Sequence, residues 1–137
     1  MRSSFRAAFG GWMALLSTSC LTEFALAQME RSSISAWGDN NDGQCDVPPP
    51  NVDFAAVAAG AQHSLGLKTD GSIRAWGVDF QPPPSPNSEF VAIAAGWSHS
   101  VALKASGAIV AWGQGYHGEC FVPSPNSGFG AIAAGGG

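Results

Sequence analysis

Apolar and polar side chains alternate along two stretches of the chain that have closely similar sequences. From His63 to Lys68 and from His99 to Lys104, an apolar residue recurs at every second position, as at Leu65 and Leu67. A period of two is typical of a half-buried β-strand, because successive side chains point to opposite faces of a sheet. The pattern therefore predicts one strand in each stretch.

A short apolar run precedes each of these strands, and a turn signal follows it. The runs Phe54–Ala59 and Phe90–Ala95 predict strands that end at a glycine. The pairs Asp70-Gly71 and Ser106-Gly107 supply the Gly that hairpin turns need for positive φ. A further strand follows each turn, as SIRAWG or AIVAWG, and leads into a proline-rich connection that cannot donate to a central ladder. The sequence predicts units of three short strands.

This unit recurs along the chain. The tripeptide AWG comes three times at intervals of 39 and 36 residues, and the phenylalanine that opens a unit comes three times at intervals of 36 and 39: Trp37, Trp76 and Trp112; Phe54, Phe90 and Phe129. A period of this size indicates an array of one supersecondary unit. One small sheet cannot bury both of its faces alone, so we expect the units to stack face to face as blades. The connection after Trp76 is three residues shorter than the other two, so its path must be rebuilt locally.

Composition and charge exclude some classes of protein. The 137 residues include 18 Gly and 9 Pro, and 45% are hydrophobic while only 12% are charged. These values favour a turn-rich, strand-rich globular protein, and they do not fit disorder. The net charge is −4 and no basic patch occurs, so we expect no nucleic-acid partner.

The N-terminal residues 1–27 have the pattern of a signal peptide. Arg2 and Arg6 precede an apolar run of about fifteen residues, and Ala25–Ala27 provides the small residues of a cleavage site. A membrane anchor is the alternative, but the run is shorter than the ~20 residues that cross a bilayer. We expect an exported protein, periplasmic or extracellular, without stable membrane insertion after cleavage.

The repeat divides the rest of the chain. Residues 28–33 form an N-terminal lead, residues 34–53 the last strand of a closing blade with its linker, residues 54–89 and 90–128 two repeats, and residues 129–137 the truncated start of a third. Even joined, the partial units make only three blades, against a usual minimum of about four. We therefore expect this sequence to be part of a longer chain, and its uncovered strand edges to permit self-association.

The phrase AAGxxHSxxLKxxGxIxAWG, followed once by WGDNNDGQCDVP, resembles the repeat of the regulator-of-chromosome-condensation family. In its short period and its linker it is similar to the repeat of β-lactamase inhibitory protein II. The resemblance implies an all-β fold, here an incomplete β-propeller made of short three-stranded blades.

The residues with catalytic or ligand chemistry favour structural roles. His63 and His99 occupy the same repeat position, and a zinc site is one interpretation. Equivalent positions of neighbouring sheets lie ~10 Å apart, so we favour instead a histidine hydrogen-bonded to backbone near the blade junction. The segment GWSHS at 96–100 lacks the final Gly of a nucleophile elbow. We predict no catalytic residue, no metal ligand and no cofactor, and hence no enzyme.

Residues of the linkers with metal-binding or redox chemistry are also expected to have structural roles. Cys45 and Cys120 are two repeats apart, beyond the ~7 Å that a disulfide can bridge, so we expect buried free thiols. DNNDGQ at 39–44 fails the calcium-loop pattern and predicts a turn held by Asx side chains. His117 occurs once, in a linker, and is expected to be solvated.

Comparison of the two full units separates residues that build the blade from residues free to face a partner. Constant positions include Gly60 and Gly96, His63 and His99, and Trp76 and Trp112. Variable positions include Ala61 and Trp97, and Gln62 and Ser98. In the inhibitor that the repeat resembles, the matching loops grip the partner, which implies partner binding at these four residues.

Trp97 is the strongest candidate for a contact, because its sister position is Ala and tryptophan is enriched in binding hot spots. Alternatively, Trp97 covers the edge of its own blade. Tyr116 ranks below it, because we expect the long linkers to pack on the opposite end. The sequence thus favours an exported scaffold for binding an unidentified protein. Inhibition of a secreted or periplasmic enzyme, such as a β-lactamase, is an alternative, and guanine-nucleotide exchange is disfavoured by export.

Overall fold

The computed structural model describes residues 32–78 and 81–136, which form two β-sheets of three strands each. The first sheet contains β1 (Phe54–Ala59), β2 (His63–Lys68) and β3 (Ile73–Gly77), and the second contains β4 (Phe90–Ala95), β5 (His99–Lys104) and β6 (Ile109–Gly113). Neighbouring strands follow chain order and are antiparallel. The all-β class and the six strands predicted for the two full units are confirmed, except that β3 and β6 each begin one residue later than the sequence pattern indicates.

The two sheets repeat each other in register as well as in sequence. β1 and β4 each shift register once, between Phe54 and Ala56 and between Phe90 and Ala92. Trp76 faces Ser64 across the first sheet, just as Trp112 faces Ser100 across the second. The same sequence pattern therefore gives the same local structure twice.

One hydrophobic core joins the sheets, because β4 packs against β1 and β2. Its buried members come from both sheets: Leu65, Leu67, Ile73, Phe90, Ala102 and Trp112. The close approach depends on glycine. A Cβ atom at Gly60 would lie 2.6 Å from the carbonyl oxygen of Gly96, nearer than real Cβ atoms come. The expected face-to-face stacking is thus present between these two units.

Three asparagines tie the end of each linker to the isoleucine that precedes that linker in the repeat, which in the two full units is the first residue of β3 or β6. Each side-chain amide accepts a hydrogen bond from the N–H of an isoleucine and donates one to the C=O of the same residue, over 2.7 to 2.9 Å: Asn51 with Ile34, Asn87 with Ile73 and Asn126 with Ile109. This arrangement, the asparagine clamp, satisfies two backbone groups at once. It holds the proline-rich segments against the sheets.

The segment 129–136 lies on the second sheet much as β4 lies on the first. The N–H of Phe129 donates to the carbonyl of Gly107 over 3.0 Å, as the N–H of Phe90 donates to that of Gly71. However, neither residues 129–136 nor residues 34–38 form the strands that the repeat predicts. A strand needs a neighbour in a continuous ladder of hydrogen bonds, and among the described residues these two segments make isolated hydrogen bonds but no ladder.

The linkers differ in length but supply the same hydrogen bond. The indole N–H of Trp76 donates to the carbonyl of Gln44, and that of Trp112 donates to the carbonyl of Gln81, each over 3.0 Å. The shorter second linker is therefore rebuilt so that a backbone carbonyl again reaches the buried tryptophan.

Residues 1–27, predicted as a signal peptide, and most of the lead 28–33 lie outside the described residues. Within 32–78 and 81–136, no helix is long and apolar enough to cross a membrane.

Candidate functional site

A tight turn between the first two strands of each unit presents the variable residues. In the second unit the N–H of Gly96 donates to the carbonyl of His99 over 2.9 Å, and in the first the N–H of Gly60 donates to that of His63 over 2.8 Å. The two residues enclosed by each turn cannot enter the ladder. Trp97 therefore projects outward with 61% of its surface exposed. Ala61, at the equivalent position, is exposed as well.

The linker that leaves β6 runs beside this turn. The N–H of Gln114 donates to the carbonyl of Ser98 over 2.9 Å, as the N–H of Val78 donates to that of Gln62 in the first unit. Tyr116 follows on the same linker and is 83% exposed. The expectation that the long linkers pack on the opposite end is wrong for this residue. The hydrogen bond after β6 holds the start of the linker at the end of the sheet where Trp97 lies.

Trp97, Ser98 and Tyr116 line one open cleft of about 280 Å³. The remaining lining residues are His99, Gln114, His117 and Glu119. Ala61 and Gln62, the other two predicted contact residues, lie at the matching turn of the first unit and do not line this cleft. Sequence comparison missed Gln114 and Glu119 and gave His117 no role beyond solvation. The signal available was the linker itself, since GQGYHGEC differs from its counterparts GDNNDGQC and GVDFQ.

The carboxylate of Glu119 is held in place at the rim of the cleft. Its Oε2 accepts a hydrogen bond of 2.9 Å from the backbone N–H of His117. Hydrogen bonds from its own backbone N–H and from that of His117 lower the pKa of Glu119. The cleft therefore carries a negative charge beside two exposed aromatic rings at neutral pH.

His63 connects the two sheets in their interior. It is buried, and its Nε2 lies 3.1 Å from the hydroxyl oxygen of Ser100 on β5. Burial, and then the nearby charge of His99, lower the pKa of His63. We predicted a hydrogen bond to backbone at the blade junction. The junction is the right place, but the partner is a side chain, because the small Ser100 brings its hydroxyl to the imidazole across the close sheet contact.

The remaining linker groups have local roles. Cys45 and Cys120 are unpaired and only partly buried, not fully buried as expected, because both lie in turns beside backbone carbonyls. The carboxylate of Asp39 accepts a hydrogen bond from the N–H of Asn41 over 3.2 Å, so the predicted Asx turn is confirmed. Within the described part of the chain, no three His, Cys, Asp or Glu side chains are grouped to hold a metal ion.

Two stacked, three-stranded antiparallel sheets of similar sequence define an all-β repeat structure in the part of the chain that the structure describes. Comparison with models of protein families finds the regulator of chromosome condensation (RCC1) repeat twice, over residues 54–80 and 90–119. These matches cover most of both complete units, so each unit is similar to this repeat, as its sequence motif indicated. A comparison with curated proteins gave no match.

Solved structures with similar folds include the ectodomains of two plant receptor kinases and a yeast protein. The ectodomain of the Arabidopsis thaliana receptor kinase ACR4 is 27% identical with a TM-score of 0.62, covering 76% of this chain and 36% of its own. The ectodomain of the Physcomitrella patens receptor kinase CR4 is 26% identical with a TM-score of 0.61, and the shares are 76% and 31%. Prp20p of Saccharomyces cerevisiae, studied for binding to Gsp1p and histones, is 23% identical with a TM-score of 0.56, and the shares are 69% and 32%. The chain thus spans about a third of the length of these structures.

Proposed function

We propose that the chain is part of an exported β-propeller that acts as a scaffold for binding another protein. The observation that carries this proposal is the cleft formed by Trp97, Tyr116 and Glu119. Both aromatic rings are exposed at positions where the blade does not need them, since Ala61 fills the position of Trp97 in the first unit. Exposed Trp and Tyr side chains that share a pocket are typical of binding hot spots.

The proposed role is binding and not catalysis. Within the described residues, what converges at this end of the sheet is aromatic surface with one carboxylate, which suits recognition better than proton transfer. Neighbouring folds support a protein as the ligand. Prp20p has been studied for its binding to Gsp1p and histones, and the same yeast protein has been crystallised bound to Kap60.

Export is the second element of the proposal. It rests on the signal-peptide pattern of residues 1–27, and the receptor-kinase ectodomains give examples of similar folds outside cells. We expect mass spectrometry of the exported protein to find a mature chain that begins at Gln28. A chain recovered with Met1 and only in the cytoplasm would contradict export and would favour an intracellular role such as nucleotide exchange.

Site-specific photo-crosslinking tests the binding site in cells that produce the protein. Benzoylphenylalanine placed at position 97 or 116 should crosslink the same protein, because both side chains line one cleft. The matched control is position 106, an exposed residue of the β5–β6 hairpin at the other end of the same sheet. Equal crosslinking from positions 97 and 106, or none from 97 and 116, would overturn the proposal.

Inhibition of a secreted enzyme would be a special case of such binding. If the crosslinked protein is a β-lactamase, hydrolysis of a chromogenic cephalosporin should fall as the purified chain is added, and it should fall less for Trp97→Ala.

Copies of the chain should also self-associate through strand edges, because edges with unpaired backbone groups favour pairing with another chain. Sedimentation velocity should then show a species larger than the monomer, and a monomer at every concentration would contradict this part.

A further inference from the structure

The cleft at Trp97 combines two kinds of group that attract a cation. Trp97 and Tyr116 offer exposed aromatic faces, and Glu119 offers a carboxylate. The lining residues, all from the described part of the chain, include no lysine or arginine that would oppose a positive ligand, and the other titratable side chains among them are His99 and His117. A cation over the face of Trp is attracted by the ring quadrupole, and Trp is the best of the aromatic side chains in this respect.

Glu119 is positioned before any ligand arrives. Its Oε2 accepts a hydrogen bond of 2.9 Å from the backbone N–H of His117, which restricts the side chain and reduces the freedom that it loses on binding. The hydrogen bonds that lower the pKa of Glu119 keep it ionised, which suits a cationic partner. A fixed carboxylate beside aromatic surface matches a guanidinium group, which stacks on rings and hydrogen-bonds to carboxylates through its planar fork.

The size of the cleft indicates a side chain rather than a whole small molecule. Its volume of about 280 Å³ lies at or below the lower end for pockets that enclose a drug-sized ligand. An open cleft of this size accommodates one long side chain that projects from a protein surface.

The opposite end of the first sheet gives a useful contrast. A larger cleft of about 430 Å³ there is lined by Asp53, Asp70, Lys68 and Arg74 together with Thr69 and Ser72. Its lining carries both positive and negative side chains and no aromatic residue, so it does not favour a cation over other ligands. The combination of aromatic rings and a lone negative charge therefore distinguishes the cleft at Trp97.

We propose that this cleft recognises an arginine side chain on the surface of the protein partner. The inference rests on the proposed binding function and deepens it, because it gives the chemistry of one contact. Trp97 provides the stacking surface, Tyr116 the second apolar wall, and Glu119 the ion pair with the guanidinium.

The test uses two blocked tripeptides as probes, acetyl-Gly-Arg-Gly-amide and its citrulline counterpart, which has nearly the same shape without the charge. Titration into the ¹⁵N-labelled protein should shift the indole N–H signal of Trp97, assigned by its loss in Trp97→Phe. We expect the arginine peptide to bind about 2- to 5-fold more tightly than the citrulline peptide, which is the factor for an exposed cation–π contact. The preference should shrink in high salt, because the charges are exposed.

Glu119→Gln is the decisive variant, because glutamine keeps an acceptor for the N–H of His117 and loses only the charge. It should weaken binding of the arginine peptide about 1.4- to 5-fold, the range of an exposed ion pair, and leave binding of the citrulline peptide unchanged. Glu89→Gln is the matched control, since Glu89 is an exposed carboxylate outside the cleft. It should change neither affinity.

Equal affinity for the two peptides, or an unchanged preference in Glu119→Gln, would overturn the inference. That failure is separate from failure of the proposed function. Crosslinking from positions 97 and 116 without an arginine preference would leave the binding function standing and would remove this ligand. An arginine preference without any crosslinked protein would leave the ligand chemistry of the cleft standing and would remove the proposed binding of a protein partner.

Discussion

Gly60→Ala tests whether the two sheets are held by the close approach on which the repeat depends. The new methyl group would lie 2.6 Å from the carbonyl oxygen of Gly96 and 2.6 Å from the Cε1 atom of His63. Both neighbours belong to packed elements, so the sheets must separate by several tenths of an ångström. Overpacking of this kind costs about 1–3 kcal/mol, and weakening the hydrogen bond between His63 and Ser100 adds about 1 kcal/mol. We expect a loss of about 2–4 kcal/mol in the free energy of unfolding.

The assay is urea unfolding of the whole chain, followed by tryptophan fluorescence and by circular dichroism. Gly130→Ala is the matched control, because a Cβ atom at Gly130 meets no atom within 4 Å and the backbone there is not in the positive-φ region. Its free energy of unfolding should stay within about 0.5 kcal/mol of the parent value. Equal stability of the two variants would refute the packing described between the sheets.

Three further predictions follow from single contacts. Asn87→Ala should lower the free energy of unfolding by about 1–3 kcal/mol in the same assay, because both hydrogen bonds to Ile73 are lost; a change below 0.5 kcal/mol would exclude a role for the asparagine clamp. Glu89→Gly should raise the free energy of unfolding or leave it unchanged, because Glu89 has a φ of 67°, which glycine adopts without strain. A loss above about 1 kcal/mol would show that the ion pair of Glu89 with Lys104 outweighs the backbone strain. Since burial lowers the pKa of His63 in the folded state, stability should fall as pH decreases below the unfolded value of about 6.5, and His63→Gln should flatten this dependence. A parent profile that is flat between pH 7 and 5 would contradict the last of these.

The strands could be predicted because their signals are local. The period of two in β2 and β5, and Gly71 and Gly107 in the hairpin turns, depend only on the preferences of neighbouring residues, and the structure places both strands at the predicted bounds. Residues 129–134 differ from β4 only in Gly130, which replaces Val91, and yet they form no strand. Pairing depends on a partner strand, which local pattern cannot supply.

The candidate site was only partly predictable, since it depends on the path of the linkers. The internal comparison singled out Trp97, but the position of Tyr116 follows from the hydrogen bond between Gln114 and Ser98, for which the sequence has no periodic signal. The asparagine clamp did have a periodic signal in the sequence. Asn51, Asn87 and Asn126 each stand three residues before the phenylalanine that opens a unit, so a comparison of the linkers would have revealed them.

The most direct test of the proposed function compares binding and folding in Trp97→Ala, using the protein captured by crosslinking at position 97. If Trp97 is a contact residue, the variant should lose more than ~2 kcal/mol of binding free energy, about 30-fold in affinity. Its circular dichroism spectrum and free energy of unfolding should match those of the parent chain, because the side chain is 61% exposed. Retained affinity with a loss of stability would show that Trp97 covers the edge of its own blade and would contradict the proposed binding site.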